Sequence, residues 1–370
     1  MDNLAHTLVG ATLAETGLKR WTPLGTATLV IGANLPDVDG LVTFAGEDTA
    51  LLFRRGWTHG VLALAVLPWG LAGAMLLWDR YVRRRRHPDA APARLGALVG
   101  LAYLSVLTHP ALDWLNTYGV RLLMPFDGSW FYGDALFIID PWLWLLMAVA
   151  AVLAHTHTRR GITGWALLGL ATSALVLVPD LAPPAAKVAW GVGVALILGL
   201  RLSAAGARGT RVERVAALCG GVLMAYIGAM WVGSRVAERR AAGWLRARGV
   251  PVERLMAGPL PARPFARDVI ALTPGRYLFL EVDWLADEPV RFSGPPLPRG
   301  EPGPIVQAAL AAPQVRGFRH WMRFPTWEVQ RTGEGWRVVL QDVRYSRSRD
   351  TGIGFATVTL DRELRPLTSP

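Results

Sequence analysis

The chain has 370 residues, 52% of them apolar and only 18% charged, with a mean hydropathy of +0.30. Ordinary soluble proteins carry roughly 25% charged residues, so this composition excludes a disordered chain and argues against a purely soluble one. The single cysteine, Cys219, excludes a disulfide framework and a cysteine-built metal site. The net charge of +11 is carried almost wholly by arginine, since Lys19 and Lys187 are the only lysines.

In chain order, two weakly apolar segments come first, Leu4–Leu18 and Trp21–Pro36. Five stretches without formal charge follow: Gly56–Trp78, Leu95–Leu112, Pro141–Thr158, Ile162–Pro179 and Val215–Ser234. A shorter one, Val188–Leu200, lies between the last two. A hydrocarbon core is crossed by about 20 apolar residues in helix, which these approach. Glu15 and the lack of a basic leading segment argue against a cleavable signal peptide. Beyond Arg235 no such run exists. There Arg276–Trp284, Trp336–Tyr345 and Gly354–Asp361 are β-branched, aromatic and roughly alternating, as strands are. A helix is expected around Val236–Arg248. The sequence therefore predicts a mainly α polytopic membrane bundle of six to eight spans over 1–234, then a small β-rich domain over 235–370.

Arginine placement gives an orientation. If all eight segments cross, the side holding Arg80–Arg94 collects fourteen basic residues against four, counting Arg208. By the positive-inside bias that side is cytoplasmic, and both termini and the β-rich domain fall outside it. The basic residues form no stripe and no aromatic RNA-binding motif, so nucleic acid is not an expected partner. The lipid bilayer is.

Ionisable residues within apolar segments are costly and mark function. His6, Asp37, Asp39, His59, His109 and Asp113 are the candidates. They stand in Asn3–Gly10, Ala33–Gly40, Arg54–Gly60 and Leu107–Gly119. His6 precedes Lys19 by 13 residues, Asp37 follows Arg20 by 17, His59 precedes Arg80 by 21 and His109 follows Arg94 by 15. At about 1.5 Å per residue, each motif sits roughly 20–30 Å from the basic face. Because the chain reverses direction between them, all four reach one level, opposite the basic loops.

Imidazole nitrogen and carboxylate oxygen are ligands for zinc and manganese. His109 and Asp113, four apart, share a helical face. Asp37 and Asp39, between Pro36 and Gly40, suit a turn that presents two carboxylates. Three imidazoles and three carboxylates exceed one tetrahedral shell, so one or two ions are expected, or some members orient ligands or act as a base. Arg54 and Arg55 precede His59. Arg55 is the candidate for holding negative charge on a substrate, whereas Arg54 reads as an interfacial arginine. Asn116 and Tyr118 could donate to a substrate or close a helix. Asp140, before Pro141, reads as a helix N-cap. His155 and His157 read as a solvated loop.

The ordered motifs Asp2-x3-His6, Leu35-Pro36-Asp37-x-Asp39, Arg55-Gly56-x-Thr58-His59, His109-x3-Asp113 and Phe137–Pro141 resemble the membrane-bound metal-dependent hydrolase family. That family is also described as LexA-binding, inner membrane-associated hydrolases. Phe318–Val329 and Asp342–Asp361 resemble the C-terminal region of its longer members. The resemblance implies a multi-pass inner-membrane protein with metal-dependent hydrolase activity. It places metal or catalytic roles on His6, Asp37, Asp39, His59, His109 and Asp113. One departure stands out: the family commonly has histidine where this chain has Arg54.

The expectation is thus a membrane hydrolase in which water activated by a divalent ion attacks an ester or phosphoester, on a lipid or lipid-linked substrate. Whichever of Asp37, Asp39 or Asp113 is not a ligand would be the general base, with Arg55 opposite the developing charge. The alternative is a non-enzymatic scaffold or regulator with a structural metal site.

Overall fold

The structure is a computed structural model that describes residues 1–203, 210–345, 347 and 353–367. Arg208 and part of Asp342–Asp361, both used above, lie outside the described residues. The chain forms two packed units. The first comprises Met1–Val38, Trp57–Ser234 and Gly258–Pro264, the second Asp39–Gly56, Arg235–Ala257 and Phe265–Pro370.

The first unit is helical. Helix α1 (Asn3–Glu15) begins where the Asp2 carboxylate accepts the Ala5 N–H at 3.0 Å. It stops before Gly17, whose φ of 102° is left-handed and suits glycine. Helix α2 (Gly25–Gly32) returns alongside it. Small residues set this packing: a Cβ on Gly10 would lie 2.7 Å from the Leu29 carbonyl oxygen, and one on Gly32 would lie 2.0 Å from Ser105 Oγ.

Helix α4 (Val61–Trp78) runs through a π turn at Asp79–Arg83 into α5 (Arg84–Arg86). Helix α6 (Leu95–Trp114) follows. Helix α7 (Pro141–His155) starts as the sequence predicts, with Asp140 accepting the N–H groups of Trp142 and Leu143 at 3.0 Å. Then come α8 (Arg159–Leu177), α9 (Pro184–Ser203) and α10 (Thr210–Arg246).

Among the described residues, five helical segments are long and apolar enough to cross a membrane: Val61–Arg86, Leu95–Trp114, Arg159–Leu177, Pro184–Ser203 and Arg211–Arg246. This corrects the expected six to eight. Pro141–His155 is apolar but only 15 residues long. The first two expected spans are helices of 13 and 8 residues, cut short by Gly17 and by the 3-10 turns at Leu18–Trp21 and Leu35–Ala45. At about 1.5 Å per residue, the longer of them is roughly 20 Å long. The long helices carry apolar side chains outward as well as inward: Leu170 is 69% exposed and Leu218 68%. Helices apolar all round belong in lipid.

Polar contacts tie together one end of the first unit. Arg94 N–H donates to Thr22 Oγ1 at 2.8 Å, and Arg20 pairs with Glu213. Lys19 Nζ donates to buried Glu15 at 2.6 Å, and His155 Nε2 lies 3.3 Å from the same carboxylate. His155, solvent-exposed at the end of α7 as expected, thus also faces a buried carboxylate, a contact its reading as a solvated loop did not include.

In the second unit an open antiparallel sheet runs β1 (Arg254–Leu260), β2 (Arg263–Thr273), β3 (Arg276–Asp283) and β4 (Val290–Phe292), with β5 (Leu297–Pro298) also on β3. The end of α10, through Ala237, Ala241 and Leu245, packs on Val269, Ala271, Leu280 and Val282. The alternate residues Ile270, Leu272 and Phe279 face the other way, onto Phe324 and Val343. A second sheet of β6 (Pro325–Arg331), β7 (Gly335–Asp342) and β8 (Phe355–Asp361) is also antiparallel. The strands expected from sequence appear as β3, β7 and β8, and the helix expected around Val236–Arg248 is the end of α10.

Buried Asp342 joins this unit together. It accepts the Arg323 N–H at 2.5 Å and pairs with Arg344 at 2.8 Å. Burial alone would raise the Asp342 carboxyl, but the Arg344 guanidinium and the backbone N–H bonds outweigh it and hold the group below the usual carboxylate range. Helix α3 (Glu47–Phe53) packs on α12 (Arg316–Trp321), where the Phe318 N–H donates to Asp48 Oδ1 at 2.9 Å. Between α3 and α12 in sequence, α11 (Pro304–Ala311) packs near the second sheet.

Candidate metal centre

Helix α6 carries His109 and Asp113 one turn apart, and both are fully buried. His59 stands just before α4, and Asp37 lies in the 3-10 turn that follows α2. Asp113 Oδ2 lies 3.2 Å from His59 Nε2 and 3.5 Å from His109 Nε2. His109 Nε2 lies 3.6 Å from Asp37 Oδ1. One ligand atom from each of Asp37, His59, His109 and Asp113 lies within 4.8 Å of all the others.

These spacings fit a shared ion. Two donor atoms at about 2.0–2.1 Å from a tetrahedral zinc are roughly 3.4 Å apart, the edge of the polyhedron. The surrounding bonds aim the donors. A carbonyl only accepts, so the 2.7 Å contact between His109 Nδ1 and the Ala33 oxygen puts the hydrogen on Nδ1. That leaves the lone pair on Nε2, which points into the cluster and makes no hydrogen bond among the described residues. Asn3 Nδ2 donates to Asp37 Oδ2 at 3.1 Å and leaves Oδ1 toward His109. Thr58 Oγ1 lies 3.0 Å from His59 Nδ1.

His6 adds a third imidazole. It is fully buried and stacks on His109, with ring centroids 3.7 Å apart and planes 15° apart. Its Nε2 lies 3.4 Å from Asp113 Oδ1, the oxygen that the Met1 amine also contacts. Neither ring nitrogen of His6 makes a hydrogen bond among the described residues. Two carboxylates beside three imidazoles form a donor-rich, largely buried cluster whose negative charge a divalent ion would compensate. The donor set is nitrogen and oxygen only, as zinc and manganese accept.

Of the residues singled out from sequence, the structure thus brings together His6, Asp37, His59, His109 and Asp113. Asp39, Arg54 and Arg55 belong to the second unit. There Asp39 Oδ2 accepts the Arg55 N–H at 2.8 Å, and Oδ1 lies 4.0 Å from Arg54 Nε. Asn116 Oδ1 accepts the Tyr118 N–H at 2.9 Å just past the end of α6, a helix-closing contact. The orienting groups Asn3 and Thr58 were not singled out, although they sit in the same short motifs as His6 and His59. The Ala33 carbonyl has no sequence signal, since every residue carries one.

A family model described as the YdjM inner membrane protein matches residues 1–182, which contain all five clustered residues. A stretch of 137 residues is 27% identical to the Uncharacterized protein YfhP of Bacillus subtilis (strain 168). That match covers 37% of this chain and 38% of the relative, well under half of its length. No solved structure matches. The long apolar helices, the family match and the buried cluster define a multi-pass membrane protein with a cluster suited to a divalent metal ion.

Proposed function

We propose that this protein is a membrane-embedded, metal-dependent hydrolase. Asp37, His59, His109 and Asp113 hold a divalent ion, zinc or manganese, and the substrate is an ester or phosphoester of a lipid or lipid-linked molecule. The observation that carries the reading is the convergence of these four side chains at coordination-edge distances in a buried place. A divalent ion there would polarise the scissile group and make a water more acidic.

The chain's own residues do the rest. The Ala33 carbonyl fixes the His109 tautomer, and Asn3 holds Asp37 so that one oxygen faces the cluster. Were Asp37 not a ligand, its carboxylate would serve as the general base for the water, since a base must sit within hydrogen-bond reach of the proton it takes. The helices that carry the cluster keep it beside the hydrocarbon core, which favours a substrate that partitions into the bilayer. We place the cluster toward the extracytoplasmic face because it lies at the ends of α4 and α6 opposite the arginine-rich Arg80–Arg94 segment, which the positive-inside bias assigns to the cytoplasm.

The test is turnover by purified full-length protein loaded with zinc or manganese and offered phospholipids and lipid phosphate esters. A released product is expected, and it should vanish in His59→Ala while the variant remains folded. Bound metal without turnover across that screen would favour a non-enzymatic scaffold with a structural metal site. No bound metal would refute both.

A further inference from the structure

Asp113 presents its two oxygens to different imidazoles. Oδ2 faces His59 and His109, whereas Oδ1 faces His6 at 3.4 Å. His6 and His109 are stacked nearly parallel at 3.7 Å, and the Nε2 atoms of both approach this one carboxylate. Two parallel imidazoles therefore aim their lone pairs at neighbouring positions, offset by about the ring separation. Ions in two-metal hydrolytic sites are about 3.5–4 Å apart, close to that offset.

His6 also lacks the explanation that usually accounts for a buried imidazole. It is fully buried, and neither ring nitrogen is hydrogen-bonded among the described residues. An imidazole kept out of water normally has a partner for at least one nitrogen.

We propose that the centre is dinuclear, with Asp113 bridging the two ions and His6 Nε2 ligating the second. This rests on the metal-centre reading above. The first position is faced by Asp37, His59, His109 and Asp113 Oδ2. The second has only His6 and Asp113 Oδ1 from these side chains, so its ion binds more weakly and leaves more of its coordination sphere for water and substrate.

The experiment is a manganese titration of metal-stripped, full-length protein in detergent, followed by native mass spectrometry and electron paramagnetic resonance. The wild type is expected to bind two ions with separable affinities and to give a spin-coupled signal at saturation. His6→Ala and His6→Asn should each lose the weaker ion and the coupled signal while retaining the tighter ion. That retained ion also reports that the variants fold. A wild type that saturates at one ion, or a His6 variant that still binds both, overturns the second site and leaves the first intact. Absence of any bound ion overturns the proposed function itself.

Discussion

Gly32 is where helix packing most directly sets the geometry of the centre. A Cβ added there would lie 2.0 Å from Ser105 Oγ, 3.0 Å from Ser105 Cβ and 3.2 Å from Leu71 Cδ2. Ser105 is fully buried, and its hydroxyl donates to the Leu101 carbonyl at 3.0 Å, so it cannot swing aside without breaking that bond. Restoring ordinary contact requires α2 and α6 to separate by about 1 Å or more. Overpacking of this kind costs about 1–3 kcal/mol. Alanine regains about 1 kcal/mol over glycine in a helix, so the net loss of stability in Gly32→Ala is only about 0–2 kcal/mol. Metal affinity is the sharper readout. Ala33, the next residue, orients His109 through a 2.7 Å bond that the separation would stretch. Losing such an orienting partner weakens metal binding about 10–100-fold, equivalent to about 1.4–2.7 kcal/mol. Competitive metal titration of the wild type, Gly32→Ala, Ser105→Gly and the double variant measures it. The double variant should recover much of the affinity lost in Gly32→Ala, because the contact that forces the helices apart is gone. Wild-type affinity in Gly32→Ala with unchanged stability would refute this reasoning.

Asn3→Ala should weaken the tighter ion about 10-fold or more with little change in thermal stability, since its amide only orients Asp37; unchanged affinity counts against that role. Asp342→Asn should destabilise the second unit by about 3–5 kcal/mol, because it leaves the Arg344 charge buried without its counter-charge; denaturant unfolding followed by tryptophan fluorescence checks it. The Asp342 carboxyl titrates below its ordinary value. Its stabilising contribution is therefore full above the unfolded carboxylate value of about 3.9 and is lost as pH falls through the lower folded value. A pH series of unfolding curves should show that acid loss in the wild type and a smaller one in Asp342→Asn. Gly317→Val would place its Cβ near 2.1 Å from the Asp48 carbonyl oxygen and should release α3 from α12. Faster proteolysis within 39–56 is expected, and unchanged cleavage would contradict it.

The common level of the polar motifs was legible because it needs only helix rise and charged boundaries. His6, Asp37, His59 and His109 each sit a countable distance from an arginine or lysine, and alternating chain direction brings them to one end. Span count was less legible. Apolar content in Leu4–Leu18 and Trp21–Pro36 resembles that of a span, but Gly17 and the 3-10 turns interrupt the helices, and hydropathy does not register backbone breaks. The partnership of His155 with Glu15 joins residues 140 apart and has no local mark. Strands β3, β7 and β8 announced themselves through alternation. By contrast β1, with its run of Met256, Ala257, Gly258 and Pro259, carries little β-branched or aromatic signal. The packing of α3 on α12 depends on Gly317 meeting a backbone carbonyl, a close approach that residue identity alone does not announce.

X-ray absorption at the metal edge of zinc-loaded, full-length protein tests the central claim most directly. A first shell of nitrogen and oxygen at about 2.0–2.2 Å, with imidazole scattering that diminishes in His59→Ala and His109→Ala, is the expected result. A shell without imidazole, or protein that retains no zinc after desalting, would contradict it.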